Sequence, residues 1–284
     1  MSDARTIGRP APAAARTVEA PINYVAPMAE RIRYFANDHS RDNQIIDAHR
    51  MPIQDARTAA EAPMLDREGF MLLPHVSAVP DFLDQAECAR IHPAEIRALL
   101  LELTGADEVV ISGPGVLRFG ERSPDAGRYN NSYPARFAHI DISDATAEQF
   151  AERSRPKAAT RGIRRYANYN VWRALSPPPQ DVPLTVCDAR TLRPQDLILA
   201  DAVFDNPGQP EWSFEGLVIA YNPAHRWSYF SDMTRDEVLV FKTSDSDPAR
   251  AHHVPHVAFD DPTCPEGVTP RCSIEMRGIA YWFE

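Results

Sequence analysis

The sequence predicts a mainly β protein, a sandwich, jelly roll or barrel, with helices confined to its N-terminal part. Two observations carry this. From Glu108 onward, short runs of β-branched and aromatic residues alternate with turns such as Ser176-Pro177-Pro178-Pro179 and Asn206-Pro207-Gly208, the texture of an all-β fold. Before that point the apolar spacing is helical. Ile96, Leu99, Leu100 and Leu103 follow i, i+3, i+4, i+7, and Gly105 stands where a helix would stop.

Taken in order, residues 1–20 are rich in Ala and Pro without a period and read as a disordered tail. Residues 22–66 are polar and irregular, with only short candidate strands such as 51–53, and are expected to wrap the body of the fold. Residues 67–74 read as a short strand. One helix is expected from Asp81 to about Ile91, and a second from Pro93. Strands are then expected at 109–119, 136–141, 166–175, 184–187, 197–200, 217–221, 226–230, 237–242, 254–259 and 272–283. The plan is a tail (1–20) and a single domain (21–284), in which an irregular, helical layer (21–107) rests on a β-roll core (108–284). There is no internal repeat.

Composition narrows the function. With 44% hydrophobic and 25% charged residues the chain is ordinary globular protein. A formal net charge of -10 argues against nucleic acid as the main partner, because phosphate binding needs a basic surface. A small anionic ligand stays open, since two arginines in a pocket can oppose the global field locally. Cys88, Cys187, Cys264 and Cys272 form no C-x-x-C pair and too sparse a set for a disulfide framework. Reduced thiols in a cytoplasm are expected. No apolar run approaches the ~18 residues of a membrane span, and the start lacks the apolar core of a signal peptide. The expectation is a cytoplasmic protein acting on a small molecule, with no nucleic-acid or membrane partner and with homo-oligomerisation left open.

His139 and Asp141 are the first candidates for chemistry. On a strand, i and i+2 point to one face, so imidazole and carboxylate converge, as two ligands of a facial iron site must. A lone His-x-Asp is common by chance. Three downstream segments add weight to it: an apolar strand at 236–242, then His252-His253-Val254-Pro255-His256-Val257, then Arg271-Cys272-Ser273-Ile274. Arg271, Ser273 and Arg277 share a strand face, and an arginine fork beside a hydroxyl suits a carboxylate.

That order resembles the iron(II)/2-oxoglutarate oxygenase superfamily. More narrowly, residues 160–284 resemble the fungal and bacterial secondary-metabolism oxygenases (hydroxylases and desaturases) typified by CmcJ, NvfI and AsaB. The likeness is carried by Tyr169-Asn170-Val171-Trp172-Arg173-Ala174-Leu175, Leu184-Thr185-Val186-Cys187-Asp188-Ala189-Arg190 and Tyr221-Asn222-Pro223-Ala224-His225-Arg226-Trp227. It continues through Phe230-Ser231-Asp232-Met233, Pro255-His256-Val257-Ala258-Phe259 and residues 271–277. The resemblance implies a double-stranded β-helix, a cupin-like jelly-roll relative. It implies iron(II) on His139, Asp141 and His256, with Arg271 and Ser273 on the distal carboxylate of 2-oxoglutarate. His252 and His253 rival His256, and the Pro-His pattern favours the latter. Asn170 and Trp172 either line the roll beside the co-substrate or pack in the core. Tyr129, Tyr133, His225 and Arg226 are candidates for substrate contact; a solvated loop for the tyrosines, and a partly buried turn for His225, are the competing readings.

The implied reaction consumes dioxygen and 2-oxoglutarate, releases succinate and carbon dioxide, and hydroxylates, desaturates or otherwise oxidises a small molecule. The alternatives are a cupin-like metal enzyme that does not use 2-oxoglutarate and a non-catalytic binding jelly roll.

Overall fold

The computed structural model describes residues 15–157 and 160–284. The chain runs β1 (Thr17–Val25), β2 (Ile32–Phe35), β3 (Ile46–Asp55), β4 (Phe70–Pro74), α1 (Gln85–Thr104), β5 (Glu108–Ile111), β6 (Val116–Phe119), β7 (His139–Ile140) and α2 (Asp144–Arg153). It continues with β8 (Ile163–Ala174), β9 (Leu184–Cys187), β10 (Leu197–Phe204), β11 (Trp212–Ile219), β12 (Trp227–Tyr229), β13 (Glu237–Asp245), β14 (His256–Ala258) and β15 (Cys272–Phe283).

These strands form two curled sheets that face each other as a jelly roll. The larger has the order β1-β3-β12-β9-β14-β7-β11-β10-β2. The smaller has the order β4-β13-β8-β15-β5, with β6 also on β15. Trp172, Leu239 and Phe241 of the small sheet pack with Leu184 and Val186 of the large one. A second apolar cluster lies on the opposite side of the large sheet, where Ile140 and Val257 meet Tyr24, Ile219 and Trp227. Alternation along β7 and β14 therefore sends His139 and His256 into the roll and their neighbours away from it.

The β-rich half follows expectation in most strands, although the run expected as one strand at 109–119 is two, β5 and β6, because the Gly113-Pro114-Gly115 turn interrupts it; the N-terminal part departs from it. Residues 17–20, expected in a disordered tail, belong to β1, whose Val18, Ala20, Ile22 and Tyr24 are buried while Thr17, Glu19 and Pro21 are exposed. Residues 1–14 of that expected tail lie outside the described residues. Pro21 is tolerated because β1 is an edge strand and its missing N–H leaves a central ladder intact. Likewise 22–66 is not an irregular wrapping: β1, β2 and β3 are members of the large sheet. The two expected helices are one. Asp84 caps α1 by accepting from the N–H groups of Ala86 and Glu87, Pro93 lies inside it, and Gly105 closes it at φ 63°. Proline costs the helix one hydrogen bond and strains the turn before it. Burial of Ile96 and Leu100 against the back of the small sheet offsets this. The segment expected as strand 136–141 pairs only at His139 and Ile140, and α2, capped by Ser143, was not foreseen.

Candidate metal centre

β7 and β14 are antiparallel neighbours, with His139 directly opposite His256. Asp141 lies one residue past β7. Another neighbour of β7, β11, approaches so closely that a Cβ on Gly216 would lie 2.8 Å from the Asp141 carbonyl oxygen. Glycine there lets β11 and the end of β7 approach this closely. The result is a cluster of three ligand atoms: His139 Nε2 is 3.6 Å and His256 Nε2 3.7 Å from Asp141 Oδ1. All three residues are buried.

Hydrogen bonds prepare each ligand. His139 Nδ1 donates to the Phe137 carbonyl at 3.0 Å and His256 Nδ1 to that of Val254 at 3.3 Å. A carbonyl only accepts, so each neutral ring carries its proton on Nδ1 and turns the Nε2 lone pair toward the cluster. Burial and the neighbouring His139 push the His256 pKa down to about 3, which keeps that ring neutral. The far oxygen of Asp141, Oδ2, accepts from Asn170 Nδ2 at 2.6 Å and from Arg277 Nε at 3.2 Å. Burial opposes ionisation of Asp141, but the Arg277 guanidinium outweighs it and holds the group well below the usual carboxylate range. Two neutral imidazoles and one carboxylate, with Oδ1 alone turned inward, form a facial donor set for a divalent iron-type metal.

The small sheet supplies the opposite wall. Its register lines up Arg118–Ser273–Ala174, then Glu275–Trp172, then Arg277–Asn170 on one inward face. Between the walls is a small inner cavity bounded by the three ligands, Trp172, Arg271 and Glu275. Arg271 is almost fully buried. Its Nε donates to Ser273 Oγ at 3.1 Å and its Nη1 to the Val182 carbonyl at 3.0 Å. Burial, helped by the nearby guanidiniums of Arg118 and Arg136, pushes its pKa down to about 9. Among the described residues no carboxylate pairs with this guanidinium, and the buried Trp172 Nε1–H has no acceptor. A buried cation without a counter-ion and a buried donor without an acceptor fit an anionic ligand such as a carboxylate.

An outer cavity of about 470 Å³ also reaches His139 and Asp141. Its walls are largely apolar, formed by Tyr34, Phe35, Phe137, Phe204 and Phe214, with Arg118, Tyr133 and Arg277 among the polar groups.

The expected site residues thus fall into three groups. His139, Asp141, His256, Arg271, Ser273, Asn170 and Trp172 come together, Asn170 as a partner of Asp141 rather than beside the co-substrate cavity. Tyr133 lines the outer cavity, whereas Tyr129 stacks on Phe119 at 5.4 Å between ring centroids, outside it. His225 and Arg226, expected at the substrate, are elsewhere. His225 lies in the core behind the large sheet, stacked on Tyr24 with Nε2 3.1 Å from Asp196, and Arg226 points outward to Asp188. The turn before β12 faces away from the roll interior, which sequence likeness does not reveal.

The rival histidines are also accounted for. His252 and His253 aim Nε2 at Asp144, the first residue of α2, at 2.7 and 3.1 Å. Nδ1 of His252 accepts from the Asp245 N–H, so its Nε2 carries the proton and is not a free lone pair. Arg118 and Glu275 were not singled out from sequence. Period two from Arg271 and Ser273 reaches Glu275, but Arg118 joins only through the β6–β15 pairing.

Comparison with known proteins agrees with this geometry. A family described as the oxidoreductase/YMDC permease-like domain matches residues 22–281. The Fe(II)/2-oxoglutarate-dependent dioxygenase NvfI of Aspergillus novofumigatus is 28% identical over 240 residues, covering 82% of this chain and 83% of that protein. The hydroxylase/desaturase EfuI of Hormonema carpetanum is 30% identical over 247 residues, covering 81% and 82%. A solved structure of NvfI, titled an iron and alpha-ketoglutarate-dependent endoperoxidase, superimposes with a TM-score of 0.80 at 25% identity, covering 94% of this chain and 98% of that one. Across nearly its whole length, then, the chain belongs to the oxidoreductase family of iron(II)/2-oxoglutarate-dependent hydroxylases and desaturases in which these relatives fall.

Proposed function

We propose that this protein is an iron(II)- and 2-oxoglutarate-dependent oxygenase of a secondary-metabolite-like small molecule, with residues 21–284 acting as one catalytic unit in the cytoplasm. His139 Nε2, His256 Nε2 and Asp141 Oδ1 would hold the metal. Arg271 and Ser273 would hold the distal carboxylate of 2-oxoglutarate, with the Trp172 indole N–H as a further donor. The outer cavity would take the substrate. The carrying observation is the convergence of three ligand atoms at the meeting of two cavities, one polar with an unpaired guanidinium, the other apolar. No helix among the described residues is long and apolar enough to cross a membrane, and we propose neither a membrane nor a nucleic-acid partner.

Iron(II) held by His139, Asp141 and His256 would supply, with 2-oxoglutarate and dioxygen, the oxidising power to attack a substrate C–H bond, with succinate and carbon dioxide as co-products. The chain's own contribution is geometric. The carbonyls of Phe137 and Val254 fix both imidazole tautomers. Asn170 and Arg277 occupy Asp141 Oδ2, so that Oδ1 alone is presented inward. Arg271 offers a directional fork in a dry setting, where a charge-assisted hydrogen bond is stronger than at the surface. The aromatic wall excludes water beside the reacting bond and holds an apolar skeleton by contact area.

The test compares His256→Ala with His252→Ala in anaerobic iron(II) binding and in aerobic succinate formation from 2-oxoglutarate. His256→Ala should lose both while its circular dichroism stays native, and His252→Ala should keep both. Iron binding retained in His256→Ala would reject the ligand set, and binding of 2-oxoglutarate without succinate release would reject the reaction.

A further inference from the structure

Resting on that assignment of metal and co-substrate, we infer that Arg118 is a specificity-determining residue that binds an anionic oxygen group, a carboxylate or enolate, on the oxidised substrate.

Three observations lead here. The first is position. Arg118 stands opposite Ser273 on the inward face of the small sheet and borders both the inner and the outer cavity. The second is its set of partners. Nη1 donates to the carbonyls of Asn131 and Tyr133 and to Asn131 Oδ1, at 2.8–3.0 Å, which anchors the guanidinium against the loop before β7. No carboxylate pairs with it among the described residues. The other arginines at the outer cavity are paired: Arg136 with Glu121 and Asp260, Arg277 with Asp141 and Glu275. Arg118, half-buried, is therefore the guanidinium there without an ion-pair partner, and a cation partly withdrawn from water recruits a counter-ion.

The third observation is the charge at the junction of the cavities. The arginines lining the two cavities, Arg118, Arg136, Arg271 and Arg277, are matched in number by Asp42, Glu121, Asp141 and Glu275, but these carboxylates pair with His39, Arg136 and Arg277 and none with Arg118. A divalent metal and a doubly charged 2-oxoglutarate cancel each other, so loading the centre gives Arg118 no counter-ion. In the inner cavity Arg271 and the Trp172 N–H already provide donors for the co-substrate. The outer cavity has an aromatic wall and one unpaired cation, which together suit an apolar skeleton ending in a single anionic group.

The probes are 1-naphthoate and its uncharged methyl ester, titrated calorimetrically into protein loaded with manganese(II) and N-oxalylglycine, an unreactive analogue of 2-oxoglutarate. The wild type should bind the carboxylate at least about tenfold more tightly than the ester, as one charge-assisted contact implies. Arg118→Gln should abolish that preference and leave the affinity for N-oxalylglycine unchanged. Arg118→Lys keeps the charge and should keep most of the preference, a second reading if the glutamine variant melts early. The inference is overturned if the wild type shows no preference, or if the preference survives in Arg118→Gln. It is also overturned if Arg118→Gln weakens N-oxalylglycine instead, which would give Arg118 to the co-substrate. Failure of the wild type to bind manganese(II) with N-oxalylglycine would instead reject the metal and co-substrate assignment itself.

Discussion

Asn170 is the residue whose replacement reports most directly on how the metal centre is built. Its Nδ2 donates to Asp141 Oδ2 at 2.6 Å, the shorter of two bonds to that oxygen; Arg277 supplies the other at 3.2 Å. Asn170→Leu keeps the side-chain volume and removes the donor, so packing against Phe241, its register partner on β13, changes little. A hydrogen bond to a charged group contributes about 1.5–3 kcal/mol. Arg277 remains, which places the loss toward the lower end of that range. Part of it appears as reduced stability of the metal-free protein. The rest appears in the metal, because Asp141 is freed to rotate away from the two Nε2 atoms; outer contacts of this kind change metal affinity by about 10–100-fold. The assay is anaerobic competition for iron(II) against a chromophoric chelator, beside melting curves with and without metal. A tenfold or larger loss of affinity with His139 and His256 intact is the expected result. A variant that melts earlier yet binds iron(II) as tightly as the wild type would refute the reasoning, and would make Asn170 a buried polar residue of the small sheet and no more.

Arg271→Lys keeps the charge and loses the planar fork, so the dissociation constant of 2-oxoglutarate should rise, by up to about 1.5–3 kcal/mol; an unchanged constant would move the anchor to another arginine. Tyr133→Ala should lower substrate oxidation more than substrate-free consumption of 2-oxoglutarate, because Tyr133 lines the outer cavity and does not touch the ligands. Tyr129→Ala, which removes a ring stacked on Phe119, should lower the melting temperature and leave that ratio alone; equal ratios in both variants would remove Tyr133 from the substrate path. Asp245 is fully buried between Arg165 and Lys242. Burial opposes its charge, but Arg165 and Lys242 outweigh this and lower its pKa. A carboxyl depressed on folding adds stability above its unfolded pKa of about 3.9, and that stability is lost as pH falls through the lower folded value. Asp245→Asn should therefore cost about 3–5 kcal/mol at neutral pH in urea unfolding and flatten the acid limb below about pH 4. A parallel acid limb would show that other carboxylates carry it.

Much of this protein could be read without coordinates, and the reason is periodicity. A buried strand repeats every two residues, so His139 and Asp141, and separately Arg271, Ser273 and Arg277, share faces whatever the rest of the chain does. The Pro-, Gly- and Asp-rich turns likewise mark most of the later strands locally. What stayed hidden depends on pairing between distant segments. Val18, Ala20, Ile22 and Tyr24 alternate as a strand should, but the Ala- and Pro-rich context masks the pattern until β3 supplies the partner. His225 carries the family's local signature and still faces the wrong side of the large sheet, because the path of a turn is set by what it packs on, here Tyr24 and Asp196. Arg118 shares no sequence period with Arg271, and only the antiparallel register of β6 on β15 brings it to the junction of the two cavities. Sequence determined the donors and the faces they occupy. The pairing of strands far apart in the chain decided which faces meet, since side-chain period is local and strand register is not.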